Sequence, residues 1–149
     1  MTMTNTSHFG NGIHMSNAQV ELFDVALKGC SSCAFYIPSS TSVTSVVATR
    51  CEFANSYYGS LVNGSLTTAT FNNCVFHDNR YDGILVYSKA TIHLHGEATA
   101  IHSNGFDGIH ALDICKIVIH LPSHHNTFYN NRKQDRRAVT GGTITNVED

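Results

Sequence analysis

A small residue followed by alternating apolar positions recurs five times along the chain: NGIHMS at 11–16, CAFYIP at 33–38, YGSLVN at 58–63, DGILVY at 82–87 and DGIHAL at 107–112. The small residues are Gly12, Ala34, Gly59, Gly83 and Gly108, at spacings of 22, 25, 24 and 25. A second alternating run follows each of them (AQVEL, TSVTSVV, LTTATF, ATIHLH, CKIVIH), and a third precedes the next small residue (DVALKG, RCEFAN, NCVFHDN, ATAIHSN, NTFYNN). Period-two alternation with β-branched and aromatic enrichment marks strands, and helical periodicity persists nowhere long enough to compete. Repeats of about 24 residues also suit leucine-rich repeats, but no repeat here supplies their L-x-x-L-x-L-x-x-N frame. What remains is an all-β solenoid of about five coils of 22–25 residues. Each coil has three short strands, with successive coils about 4.8 Å apart and paired in parallel.

The pattern fills one domain over residues 1–149, with an N-terminal edge at 1–8, coils at 9–131, and a basic exit loop and final partial coil at 132–149. Nine Lys and Arg against eleven Asp and Glu leave a net charge of −2, without the basic field that nucleic acid requires. No apolar run approaches the roughly 20 residues that span a bilayer, and MTMTNTSHFG has no basic region leading into an apolar stretch, so neither membrane nor secretion signal is expected. Five cysteines, Cys30, Cys33, Cys51, Cys74 and Cys115, favour free thiols of a cytosol-like compartment, although localisation stays open. Cys30-Ser-Ser-Cys33 has redox or zinc spacing but no second pair and no strand-helix context to support that chemistry.

Aligning the coils on the small residue sorts inside from outside. The first strand turns Ile13, Met15, Phe35, Ile37, Val62, Ile84, Val86, Ile109 and Ala111 inward. The second turns in Val20, Leu22, Val43, Ile92, Leu94, Ile117 and Ile119, and the third Leu27, Phe53, Phe76, Ile101 and Phe128. Cys51 and Cys74 fall two residues before Phe53 and Phe76 and join the interior stack. Asn79, Asn104 and Asn131 each follow the inward third-strand residue by three, which places them at one corner as a structural ladder. The glycines beyond that corner serve turn geometry or close backbone approach; no phosphate-binding glycine motif is present.

The segments CVFHDNRYDGILV at 74–86, AIHSNGFDGIHA at 100–111 and the looser CEFANSYYGSLV at 51–62 have a form like F-x-x-N-x-x-x-G-I. In these the chain resembles the right-handed parallel β-helix family with the pectate-lyase-like fold, over roughly residues 9–131. The resemblance implies the handedness, in keeping with the right-handed crossover preference. It also implies polysaccharide as the ligand class, cleaved by β-elimination or hydrolysis where such a protein is an enzyme. Against catalysis, the chain is much shorter than typical polysaccharide lyases, its carboxylates are few, and no dense acidic calcium cluster is visible.

The corner before each glycine carries the candidate ligand site. Tyr57, Tyr81 and Phe106 stand two residues before successive glycines, and Tyr58, Asp82 and Asp107 one before. An exposed aromatic column beside acids suits sugar rings, with their apolar C–H faces and hydroxyl edges. Arg80 lies next to it and could pair with a uronate carboxylate. Were the chain an enzyme, Asp82, Asp107 and Arg80 would be its catalytic candidates.

Ten histidines are a compositional oddity. Alternation turns His93 and His95 outward, with His120 beside His95 in the next coil, and His77 and His102 form another outward pair. Stacked imidazoles could meet on a metal, but no carboxylate or cysteine completes either set, so they read as polar surface and no metal or other cofactor is expected. His124 and His125 read as loop, and Arg132, Lys133, Arg136 and Arg137 as a solvated exit run. A solenoid end without a cap exposes core and unpaired backbone, so a second copy or another partner chain is expected at the N-terminal edge, unless the sequence is an excerpt of a longer solenoid. The functional reading is a carbohydrate-binding module without established catalysis. The alternatives are a structural or protein-interaction scaffold and a small polysaccharide lyase or glycoside hydrolase.

Overall fold

Three six-stranded sheets, every pairing in them parallel, make up a computed structural model that describes residues 1–7, 10–120 and 128–148. The first strands of the coils, Ile13–His14, Cys33–Ile37, Tyr58–Asn63, Ile84–Tyr87, Ile109–Ala111 and Arg136–Ala138, form one sheet. The second strands, Gln19–Phe23, Thr44–Thr49, Thr67–Asn72, Thr91–His95, Lys116–His120 and Thr143–Val147, form another. The third strands, Thr2–Met3, Ala26–Lys28, Glu52–Ala54, Val75–His77, Ala100–His102 and Phe128–Tyr129, close the coil. Each strand pairs with its counterpart one coil away, as in Phe53↔Phe76 and Phe76↔Ile101, so the molecule is a β-solenoid of about five turns.

Inward residues from all three sheets fill one continuous core. Phe53 and Phe76 stack at 4.7 Å between ring centroids, and Phe71 meets Phe76 edge-on at 5.0 Å. Such pairs add about 0.5–1.5 kcal/mol each beyond the area they bury. Cys51 and Cys74 lie inside as well, their Sγ atoms directed at the Leu22 and Ala48 carbonyls. All five cysteines are free and buried, and burial pushes the Cys33 thiol up to about 11, which suits packing rather than thiolate chemistry.

Two expectations fail. Val43 is 59% exposed, because the second strand of its coil begins at Thr44 and turns Thr44, Val46 and Ala48 inward. Pairing of Val20 with Val46 and Leu22 with Ala48 sets that register, and the Thr44 hydroxyl accepts the Asn17 N–H at 2.8 Å. A Ser-Val-Thr-Ser-Val-Val run is apolar in both parities, so alternation alone slips by one residue. The basic run is also more than an exit loop: Arg136 and Arg137 belong to a strand, and the Arg136 guanidinium lies 4.4 Å from the Phe128 ring centroid.

The bends are made by single residues with positive φ. Gly29, Asn55, Asp78, Ser103 and Asn130, with φ between 52° and 64°, turn the third strand into the first. Asp24, Arg50 and Asn73 do the same between the second and third strands. Gly, Asn and Asp tolerate this conformation best, which accounts for most of both columns.

Candidate functional site

The residue after each third-to-first bend points back under the turn. Asn79 Nδ2 donates to the Phe53 carbonyl at 3.1 Å and to Asn104 Oδ1 at 3.0 Å, while Asn104 Oδ1 also accepts the Asn79 N–H. Asn104 repeats the arrangement with the Phe76 carbonyl and Asn131, and Asn131 with the Ile101 carbonyl. Toward the N-terminus the amides give way to Ser56, whose hydroxyl accepts the Cys30 N–H. This column explains the glycines. A Cβ on Gly83 would stand 2.7 Å from the Gly108 carbonyl oxygen and 2.8 Å from Asn104 Nδ2, and Gly59 is as tightly confined. Neither has positive φ, so close approach rather than turn geometry demands glycine there. Ala34 carries a Cβ where the neighbouring coil has the shorter Ser56 in place of Asn.

Outside the ladder the aromatic column is assembled. The Tyr57 and Tyr81 rings stack at 4.5 Å, and Phe106 continues the row 5.9 Å from Tyr81. Tyr58 leans against both tyrosines at 5.4 and 5.6 Å. The three column rings are half-buried. Two cations flank them: the Arg80 guanidinium lies 5.5 Å from the Tyr57 centroid and the Lys133 ammonium 5.6 Å from that of Phe106. Shallow grooves border the row, among them one lined by Ser31, Ser32, Tyr57 and Tyr58 and one by Arg80, Tyr81, Gly105, Phe106 and Arg132. The Tyr81 hydroxyl beside it, followed by burial, holds the Tyr57 phenol above its ordinary range, so the Tyr57 hydroxyl stays protonated and able to donate.

The two acids are not part of that exposed surface, contrary to expectation. Asp82 is 3% exposed and Asp107 is fully buried. Each is consumed by the stack: Asp82 Oδ1 accepts the Asp107 N–H at 2.9 Å, and Asp107 Oδ1 the Gln134 N–H at 3.1 Å. Their other oxygens face His110, whose Nδ1 lies 3.5 Å from Asp82 and 3.8 Å from Asp107, and Arg137 approaches Asp107 at 3.5 Å. Burial raises the Asp82 carboxyl above its ordinary value, and it in turn helps burial hold the Tyr58 phenol up at about 12. Arg80 stands over Tyr57, and Arg137 is the arginine that reaches the acids. The Asp82, Asp107 and Arg80 set proposed for catalysis is therefore divided between a buried capping pair and a surface cation.

The histidines divide too. His77 is held between carboxylates, Nε2 to Glu52 at 2.7 Å and Nδ1 to Asp78 at 2.6 Å, while Lys28 completes an ion pair with Glu52 at 2.8 Å. The His102 ring stacks between His77 and Tyr129, at 5.1 and 4.5 Å. No trio of ligand atoms converges on His77 or His102 among the described residues. His93, His95 and His120 do converge, with one nitrogen from each ring within 4.8 Å of the others. His124 and His125 lie outside the described residues. Sequence reading missed Lys133, Arg132 and His110 as neighbours of the corner. The offset of about one coil between Phe106 and Lys133 was available, but the irregular 121–127 segment broke the alignment there.

Residues 11–147 match a family described as a right handed beta helix region. No curated protein and no solved structure matches the chain.

Proposed function

The chain belongs to the right-handed β-helix family, and on that fold we propose that it is a carbohydrate-binding module that takes an acidic polysaccharide along the Tyr57, Tyr81 and Phe106 column. The carrying observation is the row of three half-buried rings with a groove along it and a cation over each end. Sugar C–H faces pack on aromatic rings, and the Tyr57 and Tyr81 hydroxyls reach ring hydroxyls. Arg80, Arg132 and Lys133 favour a uronate or other anionic sugar over a neutral one. Asp82 and Asp107 support the corner from beneath and are left out of the contact surface. A glycan array probed with the purified protein and with Tyr81→Ala tests the reading. Selective retention of acidic glycans that disappears in the folded variant is the expected result; no retention, or equal retention by both proteins, overturns it.

A second copy at the N-terminal edge is a companion reading. Strands Thr2–Met3, Ile13–His14 and Gln19–Phe23 each have one neighbour among the described residues, and Met3, Ile13, Ala18, Val20 and Leu22 are only partly covered. Sedimentation equilibrium checks it, since a monomer at every concentration contradicts a paired edge.

A further inference from the structure

We propose that His93, His95 and His120, on the outer face of the second-strand sheet, bind a divalent transition-metal ion of the zinc type. His93 and His95 lie two apart on the strand Thr91–His95 and so share one face. The pairing of Leu94 with Ile119 brings His120 alongside His95 in the next coil. The His95 and His120 rings stack at 3.8 Å between centroids, and His120 Nε2 reaches diagonally to within 2.9 Å of His93 Nδ1. Three ligand nitrogens are thus held within 4.8 Å of one another by two hydrogen-bonded strands. Zinc bound to imidazole nitrogens at about 2.0–2.1 Å with tetrahedral angles needs them roughly 3.3 Å apart, so binding turns the stacked His95 and His120 rings out of parallel to aim both lone pairs at one point.

The donor set also selects the metal. Three imidazoles without a carboxylate suit zinc, copper or nickel and discriminate against magnesium and calcium. Three protein ligands leave a fourth position for water. Val118, paired with His93 in the next coil, is buried and gives the site an apolar wall, while Thr70 and Asn72 sit opposite His93 and His95 in the preceding coil. Lys116, on the same face, is a like charge to a bound cation. The buried Asp82, Asp107 and His110 trio is the poorer candidate, because its carboxylates already accept backbone N–H groups and Arg137 supplies positive charge.

The test is zinc titration of the reduced, chelator-treated chain by calorimetry, with His95→Gln, His120→Gln and His110→Gln alongside. One ion per chain is expected, weakened about tenfold or more in His95→Gln and His120→Gln and unchanged in His110→Gln. Cobalt in place of zinc should give visible d–d absorption without a thiolate charge-transfer band. In the unsubstituted protein, imidazole nitrogen resonances of three of the ten histidines should shift on adding zinc, which needs no variant to fold. Absent binding, binding retained in both variants, loss equal in His110→Gln, a thiolate band, or shifts confined to other histidines each overturn the proposal.

Discussion

Several coils turn two single-residue corners of the same local conformation, and the two are supported in opposite ways. Between the second and third strands, Asp24, Arg50 and Asn73 turn the chain at the surface. Exposed contacts reinforce them: the Arg50–Asp24 pair at 2.7 Å, and Asn73 Oδ1, which accepts the Ala98 N–H at 3.1 Å. Between the third and first strands, the same kind of turn is backed by the buried Asn79 and Asn104 amides and the half-buried Asn131, by glycines pressed against them, and by buried Asp82 and Asp107 beyond. One corner is tied to the next coil by exposed side-chain contacts. The other is rigid across several coils, and it is the one that carries the aromatic row.

Substitutions can break that contrast. Gly83→Ala forces a methyl against the Gly108 carbonyl, the Asn104 amide and Ile101, and should cost about 3 kcal/mol in urea unfolding. Asn104→Ala leaves the Phe76 carbonyl and the Asn79 donors unsatisfied in the interior, and a loss of about 2 kcal/mol is expected by the same measurement.

The Asp82 carboxyl sharpens the comparison through pH. Burial raises its value in the folded protein, so its contribution is fully present below the ordinary aspartate value and is lost as pH rises through the folded one. Wild type should gain melting temperature relative to Asp82→Asn as pH falls from neutral toward the ordinary aspartate value, and a constant difference would contradict the assignment. Arg50→Ala is the smallest change: with both partners exposed, no resolvable shift in the urea midpoint is expected.

Much of this was legible in the residues. The small-residue period placed the three sheets, and inward positions such as Phe53, Phe76, Ile92 and Ile117 are buried as alternation requires. Val43 shows the limit, because a run apolar in both parities takes its register from pairing with another coil. Asp82 and Asp107 show another. Position before a glycine reveals which residues share a column, but whether a carboxylate faces water or caps the next coil depends on backbone N–H groups about 25 residues away, at Asp107 and Gln134. The convergence of His93 with His120 is a diagonal between strands, which a column-by-column alignment does not display.

The most direct measurement is titration calorimetry of the full chain with an oligouronate and with its uncharged counterpart, repeated on Tyr81→Ala and Arg50→Ala. Binding that prefers the charged oligosaccharide, is abolished in Tyr81→Ala and is untouched in Arg50→Ala is the expected result. Failure of the wild type to bind the oligouronate, or the same affinity in Tyr81→Ala as in wild type, would contradict it.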